Sequence, residues 1–177
     1  MVSGLSSVLL AFRGHYTAAA VLIAVSIVLD IADGYVARLV GATSPFGLQL
    51  DSLADLISFG LAPAILVHTW ALDEWPILAW LVAYFWLACA AFRLARFNVG
   101  SKAPAGEAAE KSSFIGVPSP AGAMLVLSPL YLSFATDRAL HLPPVLVAAW
   151  MVGIGALMIS RVRTPSLKRI TIATDYA

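Results

Sequence analysis

An all-α bundle of about six membrane-spanning helices is the fold class this sequence predicts, and three features carry it. Hydrophobic residues make up 60% of the chain and charged residues 12%, with a mean hydropathy of +0.88. A soluble domain is roughly half apolar and about a quarter charged, so the surplus here calls for lipid as solvent. The apolar residues also gather into long runs separated by short polar breaks. Those runs do not alternate with period two, and in lipid a helix satisfies its own backbone, so each run reads as a helix.

The first apolar stretch, 2–12, is shorter than the roughly 20 residues a spanning helix needs. It lacks a basic start, so it does not read as a cleaved leader. The expectation is the second half of a first helix that begins upstream. Arg13-Gly14-His15 breaks the chain before a span at 16–37, and Gly41 to Pro45 before a span at 47–70. Asp73-Glu74 precedes a span at 76–98. Segment 101–113 is polar and rich in small residues, which predicts a flexible cytoplasmic loop. A span at 118–136 opens on Pro118 and Pro120, which suit a helix start or a kink. Asp137 to Pro144 leads to the last span, 143–160, and the basic tail after Ser160 is expected to continue further. No internal repeat and no soluble segment stands out, so 1–177 reads as a single membrane domain. Trp70, Trp75 and Trp80 fall where interfacial anchors belong.

Basic residues set the orientation. With loops numbered alternately, one side receives Arg38, Arg93, Arg96, Lys102, Lys111, Arg161, Arg163, Lys168 and Arg169. The other receives only Arg13 and Arg138. The rich side is cytoplasmic, and it holds the end of the second span and the start of the third. The net charge of +1 gives no reason to expect nucleic acid. Cys89 is the one cysteine, which excludes a disulfide within the chain and suits a small buried hydrophobe. His15, His68 and His141 lie on different segments, so no histidine metal site is expected.

Chemistry concentrates in four aspartates. Asp30 and Asp33, three apart, share a helix face near the cytoplasmic end of the second span. Asp51 and Asp55, four apart, do so at the start of the third. A short link lets the two antiparallel helices bring both pairs together. Carboxylates at membrane depth are costly and repel one another, and Arg38 alone cannot balance four of them. One or two divalent cations can, and all-oxygen ligands favour Mg²⁺, Mn²⁺ or Ca²⁺. Gly34, Ala37 and Gly47 are small residues on the same cleft, where they suit either a close ligand or close helix packing.

The run Asp30-Ile-Ala-Asp33-Gly34-Tyr-Val-Ala37-Arg38, then eight residues, Gly47, three residues, Asp51, three residues and Asp55 resembles the signature of the CDP-alcohol phosphatidyltransferases. The resemblance covers about 16–165. It implies a six-helix fold, usually dimeric, with a site open to the cytoplasm. It implies that Asp30, Asp33 and Asp51 bind metal, and that Asp55 shares in this and acts as the base. Gly34, Ala37, Arg38, Ser44 and Gly47 would hold a CDP-linked lipid. Two cations per site would neutralise the diphosphate and the departing CMP while an alcohol hydroxyl attacks phosphorus.

The acceptor is read from two further segments. Arg93-Leu-Ala-Arg96-Phe-Asn98 places two arginines on one face, suited to an anionic group such as an amino-acid carboxylate, or to lipid phosphates, with Asn98 suited to orient the acceptor's ammonium or hydroxyl. Phe114-Ile-Gly-Val-Pro118-Ser119-Pro-Ala-Gly122 adds Ser119 as a substrate contact. Together they resemble the phosphatidylserine synthase branch, which implies CDP-diacylglycerol and L-serine as substrates, with membrane lipids and a second copy of the chain as partners. That branch opens with an Asn- and Thr-containing stretch, whereas this chain opens Met-Val-Ser-Gly-Leu. Another acceptor in the same family, glycerol 3-phosphate or an inositol phosphate, is the alternative. A divalent-cation transporter is the alternative of another class, though the carboxylates gather on one side instead of lining a path across.

Overall fold

The computed structural model describes residues 1–40, 44–101, 114–136, 142–160 and 163–164; the side chains of 37, 38, 45, 100, 101, 114, 115, 163 and 164 are outside the description. The loop expected over 101–113 therefore lies outside the described residues except for the helical backbone of Ser101, as does the tail after Thr164.

The molecule is a helical membrane protein. Among the described residues, three helical runs are long and apolar enough to cross a bilayer: Tyr16–Val36, Phe46–Ala71 and Pro76–Val99. Val2–Phe12 and Pro144–Ile159 are shorter apolar helices. The helix ends follow the polar breaks to within a few residues.

Helix α1 (Val2–Phe12) stops at Arg13 and Gly14, whose φ of 75° supplies a left-handed turn. Helix α2 (Tyr16–Leu39) then runs back along it. Gly4, Ser7 and Ala11 are the buried positions of α1, a stripe of small residues that lets the backbones approach. Two serine contacts tie the pair: Ser7 Oγ donates to Ala19 O at 2.8 Å, and the Ser3 and Ser26 hydroxyls are 2.7 Å apart.

The third run is continuous but not uniform. Helix α3 (Pro45–Asp55) passes into a π-helical turn (Leu56–Leu61) and then into α4 (Ala62–Ala71). In the π turn the Ala62 N–H reaches Ile57 O, five residues back. Trp86 on α5 (Pro76–Ser101) is fully buried, and its Nε1–H donates to Gly60 O at 3.0 Å. Gly4 of α1 lies against the same turn; a Cβ there would sit 2.8 Å from Ser58 Cα. The core gathers around this turn and α4, with Phe59, Leu66, Val67 and Trp86 fully buried. Trp80 is exposed, meets His68 edge-on at 4.8 Å and stacks on Tyr84 at 5.6 Å.

The expected span at 118–136 is two helices, α6 (Ser119–Val126) and α7 (Ser128–Ala135). Pro129 is the reason: it has no N–H for Leu125 O, one turn back. That carbonyl is satisfied instead by Trp150 Nε1–H at 2.8 Å, from α8 (Pro144–Ile159), and by Ser128 Oγ–H at 2.7 Å. The fold is all-helical as expected, with one small addition. Phe114–Ile115 (β1) and Arg163–Thr164 (β2) form a two-residue antiparallel pair, with Phe114 opposite Thr164. Gly116, at φ 84°, follows β1 and passes so close to the end of α8 that a Cβ would strike the Met158 carbonyl.

Candidate active site

Asp30, Asp51 and Asp55 each place a carboxylate oxygen within 4.8 Å of the others. Asp30 comes from α2 and the other two from α3. Helical spacing explains the convergence, because Asp51 and Asp55 are one turn apart on one face of α3. Asp30 and Asp55 are half-buried with their carboxyl groups in hydrogen-bonding contact, and Asp51 is exposed. Three such groups repel one another unless protons or a cation lie between them. Three hard oxygen donors from two rigid helices fit a divalent cation, so this cluster can hold a metal. Arg93 is near enough to attract Asp55.

Asp33 stands apart from the three. It is exposed, but it faces the same cavity of about 450 Å³, which Ser3, Ser26, Asp30, Asp51 and Ala54 also line. Ser3 and Ser26 were absent from the residues singled out by sequence. The available signal was that Ser26, Asp30 and Asp33 follow helical spacing on one face of α2.

The lipid-holding residues implied by the motif divide. Gly34 has open space where a Cβ would be, as a closely approaching ligand requires. Ser44 caps α3: its Oγ accepts from Gly47 N–H at 3.0 Å, and Pro45 follows at the first helical position. A Cβ at Gly47 would press on that Oγ at 3.2 Å, so capping accounts for the glycine. Ala37 and Arg38 lie on α2, with their side chains outside the description.

The expected acceptor residues occupy different positions. Arg93 donates from Nη1 to Ser119 Oγ at 2.6 Å, and Ser119 is fully buried at the start of α6. Arg93 Nε is buried without a hydrogen-bond partner. Arg96 sends Nη1 to Ile159 O at 3.3 Å and Nη2 to Ser160 O at 3.4 Å, closing the C-terminus of α8. Both arginines line a second cavity of about 450 Å³ with Phe92, Val99 and Ile159. Asn98 meets Ser52 and Gln49 of α3.

Similarity to known proteins covers this whole region. The sequence profile of the CDP-alcohol phosphatidyltransferase family matches residues 1–162. The chain is 34% identical over 175 residues to the CDP-diacylglycerol–serine O-phosphatidyltransferase of Mycobacterium leprae, covering 99% of this chain and 58% of that protein. It is 37% identical over 142 residues to the Bacillus subtilis protein of the same name, covering 80% and 71%. An archaetidylserine synthase of Methanothermobacter thermautotrophicus is 34% identical over 177 aligned positions, covering 97% and 68%. The chain spans about three fifths of the length of the mycobacterial relatives it matches.

Proposed function

This chain belongs to the CDP-alcohol phosphatidyltransferase family, and from that premise we propose that it moves a phosphatidyl group from CDP-diacylglycerol to L-serine, giving phosphatidylserine and CMP. The observation that carries the proposal is the convergence of Asp30, Asp51 and Asp55 beside an open cavity. Support for the acceptor comes from relatives whose names specify serine, in bacteria and in an archaeon.

Asp30, Asp33, Asp51 and Asp55 would hold two divalent cations, Mg²⁺ or Mn²⁺, with Ca²⁺ the third hard ion the donors suit. When bound, such ions neutralise the diphosphate oxygens and the leaving CMP. Asp55 takes the proton of the serine hydroxyl as its oxygen bonds to the lipid-bearing phosphorus. The phosphorus–oxygen bond to CMP breaks in the same displacement. Gly34 leaves room for the CDP-lipid, and Ala37, Arg38, Ser44 and Gly47 complete that subsite on the motif. Arg93 binds the serine carboxylate, for which its Nε–H is a buried donor without a partner. Ser119 aims that guanidinium, and Arg96 and Asn98 border the acceptor side.

The fold would be one membrane domain over 1–177 with about six spans, α6 with α7 forming one and the short α1 and α8 two more. The excess of basic residues on one side supports a site at the cytoplasmic face. A homodimer follows the family pattern.

The test supplies purified protein with CDP-diacylglycerol, Mn²⁺ or Mg²⁺, and in turn L-serine, glycerol 3-phosphate and inositol phosphate. CMP release is expected with serine. Release with another acceptor alone overturns the acceptor. Release with none, together with Mn²⁺ uptake into liposomes, favours a transporter.

A further inference from the structure

Helix α3 supplies two of the three clustered carboxylates, yet none of its described side chains is fully buried. Phe46, Leu50 and Leu53 point away from the protein body. Apolar packing therefore adds little to the hold that backbone continuity with the π turn gives on the rotation of α3, and polar ties supply the rest. Its midpoint has one. Gln49 and Ser52, three apart, share a face and both meet Asn98 of α5. Asn98 Nδ2–H donates to Ser52 Oγ at 2.9 Å and approaches Gln49 Oε1 at 3.4 Å. Ser52 Oγ lies 3.1 Å from Asn98 Oδ1 and 3.0 Å from Leu48 O, either of which can take its proton.

Ser52 follows Asp51 directly and precedes Asp55 by three residues. Any rotation of α3 that breaks its bond to Asn98 carries both carboxylates with it. We propose that Asn98 is a positioning residue whose bond to Ser52 locks α3 in rotation, holding Asp51 and Asp55 at the spacing from Asp30 that captures a cation. The inference rests on the metal reading above. It gives Asn98 work on α3 in place of direct contact with the acceptor.

The test measures Mn²⁺ binding by the electron paramagnetic resonance signal of the free ion, with purified protein in detergent and no substrate. Asn98→Ala and Ser52→Ala should each weaken binding roughly 10-fold, the lower end for groups that orient metal ligands. The double variant should be no worse than Asn98→Ala alone, since that change already removes the bond that Ser52→Ala breaks. Ser52→Thr keeps the hydroxyl and should bind as the wild type does. The KM for serine at saturating Mn²⁺ should stay unchanged. A wild-type protein that takes up no Mn²⁺ ends the metal reading and the clamp with it. Normal wild-type binding with unchanged affinity in both alanine variants, or additive losses, overturns the clamp alone. So does a raised serine KM with unchanged Mn²⁺ affinity, which would return Asn98 to the acceptor. Should Asn98→Ala fail to fold, the contrast between Ser52→Ala and Ser52→Thr decides.

Discussion

Helices α3 and α4 belong to one apolar run, yet they are held in opposite ways. Ala62 to Val67 of α4 are all buried in the protein. In α3, Phe46, Leu50 and Leu53 are exposed, and the half-buried positions include Ser52 and Asp55. One half is an anchor fixed by shape. The other is a platform fixed by a cap, a clamp and its continuity with the π turn. A cluster of carboxylates needs solvent and ligand access, so it cannot sit in the packed half. The cost is that its geometry depends on a few hydrogen bonds, each worth about 1 kcal/mol.

Substitutions in the two halves should separate activity from stability. The largest effect belongs to Asp55→Asn, which removes the proposed base without changing volume. CMP release should fall roughly 10³-fold, in the range for general base catalysis, with an unaltered melting profile in detergent. Full activity in that variant would move the base elsewhere. Phe59→Ala, next to α4, should do the reverse. The cavity costs about 3 kcal/mol, seen as a lower melting temperature, while turnover per folded molecule is largely kept below the melt. Ser44→Ala is the smallest. Loss of the cap should cost about 1 kcal/mol and leave the melt nearly unmoved. A shift as large as that of Phe59→Ala would mean that α3 is gripped as firmly as α4, and the contrast would fail.

The contrast within this run was not legible in the sequence, which reads as one uniform span, but much of the fold and of the aspartate cluster was, for identifiable reasons. Span boundaries follow polar breaks because charged and turn residues are costly in lipid, and the breaks at Arg13 to His15 and at Asp73-Glu74 fall where the helices end. The meeting of Asp30 with Asp51 and Asp55 follows from helical spacing and a short link. Other features needed three dimensions. Nothing local in Leu56 to Leu61 announces a π turn, which is supported from outside by Trp86 and Gly4. Asn98 is adjacent to Ser52 only through the packing of α5. Two features could have been read and were not: Ser44-Pro45 is a cap followed by proline at the first helical position, and Pro129 deprives Leu125 O of its donor.

The π turn changes how this span tolerates errors of length. One residue more or less on an α-helix turns everything beyond it by about 100°. With the Leu56–Leu61 turn clasped by Trp86 and α1, its downstream side is locked to the core. A deletion inside the turn would therefore be taken up upstream, swinging Asp51 and Asp55 off the cluster while the anchor stayed in place. Point changes there would be graded, whereas a change in residue count would be all-or-none, so homologous spans should vary in letters at this turn and hold constant in length.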